Sequence, residues 1–237
     1  MTMNINNLQQ FVYDEVTSTF DVAKQLLQNH KQGVVIAKRQ TKGKGKGERK
    51  FVSNDGGLYF TIFCKQVDFS PSFALKTVIN AGLSVYDTLV LLGFDTKLKW
   101  PNDVLINGKK VCGILCETIT CGDKLDFMCG VGINVNSTCF DEFDDIATSL
   151  YLQSGKIVDI DEFANLVINN VYKNLFDDSD KTDEFFKASK MLGKKVLVTD
   201  INQSYMVEIN GLSKDGFLYG IKDGVQTTIV CGDVKEV

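Results

Sequence analysis

Lys99 and Asp103 bracket the turn sequence Trp100-Pro101-Asn102, and Lys110 opens the run Lys110-Val111-Cys112-Gly113-Ile114-Leu115 a few residues on. Proline fixes φ and removes a donor, so a turn built on Pro101 is stiff and presents Lys99 and Asp103 in fixed directions. Lys110 enters an otherwise apolar strand, where a cation is costly to bury unless an anion neutralises it. Gly113 leaves room for a ligand to come close. Together these residue types suit the handling of a carboxylate or a phosphate. An ordinary strand-proline-turn, with Lys99, Asp103 and Lys110 all in solvent, fits the same letters.

A second basic feature comes earlier. Residues 41–49 read Thr-Lys-Gly-Lys-Gly-Lys-Gly-Glu-Arg, and alternate glycines let a backbone curl while ammonium groups gather round phosphate oxygens. No GxxxxGK[ST] motif is present, so this is not a Walker A loop. Taken alone, such a run is more often a solvated connector. Its place directly before an apolar strand at 57–63 favours a ligand loop.

The elements that must position these residues follow from hydrophobic period and turn chemistry. Strands are predicted at 11–16, 33–37, 57–63, 96–100, 104–106, 110–117 and 125–135. Thr17 and Ser18 are the N-cap candidates for a helix through Leu27 with Ala23, Leu26 and Leu27 on its apolar face. Ser70-Pro71 opens the longest helical pattern, which Gly93 ends. Asn107-Gly108 is a type I′ hairpin signal. Helices are expected at 160–175 and 183–191. After Gly193 the period changes to short strands broken at Asn202-Gln203, Lys214-Asp215-Gly216 and Lys222-Asp223-Gly224, which places a boundary near Leu192.

Composition narrows the chemistry. The net charge is −4, yet residues 38–50 carry seven Lys or Arg and one acid, Glu48. A basic loop on an acidic body points to a small polyanion, not to a dedicated nucleic-acid binder. Seven cysteines without a CxxC spacing read as reduced thiols in a cytosol-like compartment. His30 is the sole histidine, which argues against zinc, Ser-His-Asp and Cys-His chemistry. No signal peptide or membrane span is predicted.

The order Thr17-Ser18-Thr19, residues 40–46 (QTKGKGK), Lys99-Trp100-Pro101-Asn102-Asp103, residues 110–115, residues 130–136 (GVGINVN) and Ala147-Thr148-Ser149 resembles biotin protein ligases along nearly the entire chain. The resemblance implies an α/β (α+β) fold: a mixed-sheet catalytic domain like that of class II aminoacyl-tRNA synthetases over 1–190, and a small C-terminal SH3-like β-barrel over 191–237. It implies activation of biotin by ATP to biotinyl-5′-AMP, then transfer to a lysine of a biotin carboxyl carrier domain. ATP with Mg2+ and biotin enter as substrates, with no tightly bound metal.

Carried over position by position, the resemblance makes Lys110, Lys46 and Asp103 the catalytic residues. Ser18, Thr19, Gln40, Gly43, Lys44, Gly113, Ile114 and Leu115 join Lys110 in holding biotin. Lys44, Lys46, Arg49, Phe51, Lys99, Asn102, Asn134 and Ala147 hold the nucleotide, with Phe51 covering the adenine in place of a family tryptophan and the basic loop acting as a mobile lid. Lysine stands at 44 and 46 where the family has arginine, and it loses the planar fork while keeping the charge. Glu48 replaces a glycine and Phe20 an asparagine.

Only about ten residues precede the first strand, too few for the helix-turn-helix of a biotin repressor, so no DNA partner is expected, and none at a membrane. A cytoplasmic enzyme follows. Homodimerisation is common in the family and nothing in the sequence decides it. Two rivals stay open: a lipoate ligase, disfavoured because no Arg-Arg-x-x-Gly-Gly-Gly run exists, and a non-catalytic biotin-binding module.

Overall fold

Asn107 and Gly108 both take positive φ, 50° and 78°, so the predicted type I′ hairpin forms and matches the twist of its strands. It sits in a computed structural model that describes residues 8–67, 73–200 and 203–237. The Ser70-Pro71 helix start and Asn202 of one predicted turn lie outside the described residues.

In chain order the elements are β1 (Gln10–Val16), α1 (Thr19–Leu26), β2 (Gln32–Gln40), β3 (Gly57–Val67), α2 (Phe73–Leu91), β4 (Thr96–Lys99), β5 (Asp103–Ile106), β6 (Lys109–Cys121) and β7 (Lys124–Asn134). Then come α3 (Leu150–Ser154), α4 (Ile160–Asn174), α5 (Thr182–Ser189) and strands β8 (Lys195–Thr199), β9 (Ser204–Leu212), β10 (Leu218–Lys222), β11 (Val225–Ile229) and β12 (Asp233–Glu236). The predicted strands and helices are present, several longer than expected, and α3 was not foreseen. Ser18, not Thr17, caps α1, its hydroxyl accepting from Phe20 N at 3.2 Å. Gly93, at φ 88°, closes α2 in a Schellman motif: Phe94 N reaches Leu89 O at 3.1 Å and Gly93 N reaches Val90 O at 2.9 Å.

Seven strands pair in the order β1-β2-β3-β7-β6-β5-β4, parallel at β1-β2 and antiparallel elsewhere. Alternation along each strand splits the interior. Phe60, Ile62, Phe127, Cys129 and Ile114 face the α2, α4 and α5 side. Phe63, Met128 and Val35 pack with Phe20 and Ala23 of α1, and with Leu27 just past its end, on the other.

The C-terminal strands form their own antiparallel sheet, β11-β10-β9-β8-β12. Among the described residues this ladder has two free edges, β11 and β12, so it is an open five-stranded sheet; closure into the expected barrel would need those two edges to pair. Its apolar residues, Val196, Val198, Val207 and Ile209 among them, merge with the main core. Trp100, 3% exposed, donates its indole N–H to Gly216 O at 2.9 Å, and Lys97 pairs with Glu236. Among the described residues no helix is long and apolar enough to cross a membrane.

Candidate active site

Where β5 meets β6 the register slips: Val104 faces Cys112, but Leu105 faces Lys110, leaving Val111 as the extra residue of a β-bulge. In a regular strand, residues three apart lie on opposite faces. The bulge restores Lys110 to the face of Gly113 and Asp103, the kind of re-aiming bulges give side chains beside active sites. Lys110 Nζ consequently lies 2.7 Å from Asp103 Oδ1 and 5.6 Å from the centre of the Phe51 ring. Its backbone is held from the opposite side, Lys110 N donating to Ile146 O and Thr148 N to Lys110 O, both at 2.8 Å.

These groups line a cavity of about 590 Å3. Its floor is glycine. The Phe51 ring rests on β6 and β7 because Gly113 and Gly132 have no Cβ; one placed there would lie 2.9 Å and 2.7 Å from ring carbons. Phe20 uses Gly130 in the same way, at 2.3 Å. The asparagine-to-phenylalanine departure at position 20 is therefore an aromatic buried against β7.

The basic loop is ordered by its own backbone. Gly45 N donates to Arg49 O at 2.8 Å and Phe51 N to Gly43 O at 3.0 Å, with Lys44 and Lys50 paired as an antiparallel bridge. The expected lid is thus a short hairpin turning at Gly47, φ 65°. Carboxylates hold two of its cations: Lys44 Nζ lies 2.5 Å from Asp21 Oδ1, and Arg49 Nη1 lies 2.9 Å from Asp233 Oδ1. With Lys110 on Asp103, three cations of the cavity wall carry exchangeable carboxylate partners. A carboxylate or phosphate ligand could take their place.

A hydrogen-bond chain runs behind another part of the wall. Gln40 Oε1 accepts from Thr19 N at 2.8 Å and Thr19 Oγ1 at 3.0 Å, and Thr61 Oγ1 donates to Thr19 Oγ1 at 2.9 Å. Gln40 Nε2 donates to Ser53 Oγ at 2.8 Å, and Ser53 Oγ to Phe51 O at 3.0 Å.

Of the residues singled out from the sequence, Ser18, Thr19, Gln40, Lys44, Lys46, Arg49, Phe51, Lys99, Asn102, Asp103, Lys110, Gly113, Ile114, Leu115, Asn134 and Ala147 all line this one cavity. Gly43 does not; it lies behind Gln40, where a Cβ would come 2.3 Å from Phe51 O and 2.5 Å from Ser53 Oγ. Asn102 and Asn134 each give one amide N–H to a strut, to Ile114 O at 2.8 Å and Thr148 O at 2.9 Å. The Trp100–Pro101 peptide is cis.

Sequence reasoning missed two parts of the wall. One is Phe140, Phe143 and Ile146, apolar side chains on the stretch leading to α3; the other is Gly232, Asp233 and Val234 from the C-terminal sheet. The aromatic spacing could have flagged the first. Nothing local marks the second. Cys112 is buried, and burial pushes its thiol up while Lys110 offsets this only in part, the setting of an inert thiol and not of an activated one.

The sequence profile of the biotin/lipoate A/B protein ligase family matches residues 12–134, the stretch that holds the loop, the Lys99 turn, Lys110 and the glycine floor. The chain is 35% identical over 164 residues to a bifunctional ligase/repressor BirA of Bacillus spizizenii, covering 64% of this chain and 49% of that protein. It is 30% identical over 141 residues to a biotin–[acetyl-CoA-carboxylase] ligase of Paracoccus denitrificans, covering 56% and 58%. The chain thus spans about half the length of the first curated relatives it matches. Among solved structures it is similar to the biotin protein ligase from Aquifex aeolicus in complex with biotin and ATP, with a TM-score of 0.82 and 30% identity over 97% of this chain and 98% of that one. A cavity wall of exchangeable cations, matched along more than half of its sequence by one profile and along nearly its whole length by one fold, places the chain in the biotin/lipoate A/B protein ligase family.

Proposed function

We propose that this chain is an ATP-dependent biotin–protein ligase, which activates biotin as biotinyl-5′-AMP and passes the biotinyl group to a lysine of a biotin carboxyl carrier domain. The observation that carries this reading is the gathering of Lys110, the hydrogen-bonded Thr19–Gln40 amide group and the cations Lys44, Lys46 and Arg49 around one cavity. A carboxylate attacking an anionic phosphorus needs both charges masked. Lys110 is the donor placed to do so, releasing Asp103 as the substrates arrive. Charge that builds on the α-phosphate then meets fixed donors in a site partly shielded from water, where such contacts are strongest. ATP supplies the leaving group, so no protein nucleophile is required.

Phe51 and the group Phe140, Phe143 and Ile146 offer apolar walls for an adenine. Covering the mixed anhydride with the loop keeps water from it. Mg2+ enters with the triphosphate as part of the substrate. Once the acyl adenylate has formed, Asp103 is free to accept a proton from the incoming lysine. The cytosol is the setting we assign, since all seven cysteines are unpaired. We also assign residues 1–190 to the catalytic domain and 191–237 to a C-terminal one that closes the nucleotide end through Asp233.

Single-turnover transfer of labelled biotin to a carrier domain tests the reading. Label on the carrier that depends on ATP is the expected result. Transfer of lipoate in place of biotin, or binding of biotin with no transfer, would overturn it in favour of a lipoate ligase or a binding module.

A further inference from the structure

Ser53 is 3% exposed and touches no cavity surface, yet it grips Gln40 at two points: Ser53 O accepts from Gln40 N at 3.1 Å, and Ser53 Oγ accepts from Gln40 Nε2 at 2.8 Å. The direction of every bond in this chain is fixed by one fact. Thr19 N is a backbone donor and cannot accept, so the Gln40 atom facing it must be Oε1, and Nε2 must point to Ser53. The Ser53 hydroxyl, accepting there, gives its single proton to Phe51 O. Thr19 spends its own proton on Gln40 Oε1 and accepts from Thr61. Each hydroxyl proton is committed, and Oε1 already takes two bonds. What Gln40 has left to offer a ligand is its second Nε2 hydrogen.

We infer that Ser53 is a positioning residue: through Gln40 it sets the cavity's amide end to donate to a carbonyl-type oxygen, and through Phe51 O it ties that end to the root of the basic loop. The inference rests on the biotin reading above, in which the oxygen is that of the cyclic urea. Without the Ser53 hydroxyl Gln40 keeps its Oε1 bonds from Thr19 and its backbone bond to Ser53 O, but loses the Nε2 bond that fixes the amide plane and the side-chain link to Phe51 O. Gly43 supplies independent support. It sits under the relay, where any Cβ would meet Phe51 O at 2.3 Å, Ser53 Oγ at 2.5 Å and Gln40 Nε2 at 3.1 Å, so the absence of a side chain there is what lets the relay close.

The test measures biotin affinity by titration calorimetry for wild type, Ser53→Ala, Gln40→Ala and the double variant, with ligand-free melting curves as the check on folding. Ser53→Ala should weaken biotin about tenfold, the scale expected when a buried polar group loses its partner. It should also narrow the preference for biotin over 2-iminobiotin, in which the urea oxygen is replaced by a nitrogen. In the Gln40→Ala background the same change should cost nothing more, because what it positions is gone. Gly43→Ala, which leaves Ser53 itself intact, should reproduce the loss. The inference is overturned if Ser53→Ala binds biotin within twofold of wild type, or if its effect persists undiminished without Gln40. Failure of wild type to bind biotin would instead overturn the proposed function, so the two are told apart by the first titration.

Discussion

Asp103 Oδ1 and Lys110 Nζ meet at 2.7 Å although their residues are not cross-strand partners: Asp103 lies opposite Gly113, and Lys110 opposite Leu105. The Val111 bulge makes the meeting. If Lys110 masks the substrate charges during adenylate formation, its loss removes transition-state stabilisation and not merely binding. Lys110→Met, which keeps the aliphatic stem, should lower the rate of adenylate formation by about 10²–10³, the range for losing one preorganised donor. Pyrophosphate release under saturating biotin and ATP reads this directly, and a fall of under threefold would remove Lys110 from the chemistry.

Lysines at 44 and 46 keep charge without the planar fork of arginine. Lys44 is steadied by Asp21, whereas among the described residues Lys46, beside the turn of the hairpin, is held through its carbonyl, which accepts from Arg49 Nε at 3.2 Å. Lys46 is the weaker hold on a bound adenylate. Lys46→Arg should slow the escape of free biotinyl-AMP several-fold, about 1 kcal/mol in a charge-assisted bidentate contact. Escape can be followed by chromatography after a single turnover without carrier, and an unchanged rate would show that loop charge alone sets retention.

How far the site could be read from the sequence depended on the range of the forces that build it. Asn107-Gly108 and the Ser18 cap were legible because turn and cap chemistry is settled within four residues. Lys110 was legible as an anomaly, a cation in an apolar strand, but its pairing was not: the spacing to Gly113 puts the two on opposite faces unless a bulge intervenes, and no residue type announces Val111 as the bulge. Asp233 was out of reach, since its partner Arg49 is 184 residues away and the bond exists only because β12 docks beside the loop. The open edges of the C-terminal sheet were equally invisible, because short strands and turns look alike in a barrel and in an open sheet.

The glycine floor should separate stability from ligand binding. A Cβ at Gly130 meets Phe20 at 2.3 Å and 2.7 Å, and Phe20 is locked against Ala23 and Leu27, so the ring cannot yield cheaply. Gly130→Ala should cost about 1–3 kcal/mol, as overpacking does. At Gly113 the neighbours are the ends of Lys110 and Phe51, at 3.1 Å and 2.9 Å, side chains that border the cavity instead of the core. Gly113→Ala should unfold in urea close to wild type while weakening ATP. Equal losses of stability in the two variants would mean that Phe51 is as fixed as Phe20.

Buried thiols give the protein an alkaline weakness. Burial pushes the Cys64 thiol up to about 12 and raises Cys112 strongly, while at Cys129 the hydrogen bond with Cys116, and then burial, hold the thiol well above its ordinary range. In the unfolded chain the same groups ionise near 8.5. Their folded values are raised, so the stability they confer is fully present below about 8.5. It drains away as pH climbs toward the folded values, by up to about 1.4 kcal/mol per pH unit for each thiol. The urea midpoint should therefore fall steeply between pH 8.5 and 10, and replacing Cys64 with alanine should make that fall shallower even as it lowers the midpoint at pH 7. Native alkylation supplies the matching readout: Cys121, Cys139 and Cys231 are exposed and should be modified first, while Cys64, Cys112 and Cys129 react only after unfolding. A midpoint flat across that range, or early labelling of Cys112, would mean that water reaches the sheet behind Lys110 and that the wall of the site is far looser than its packing.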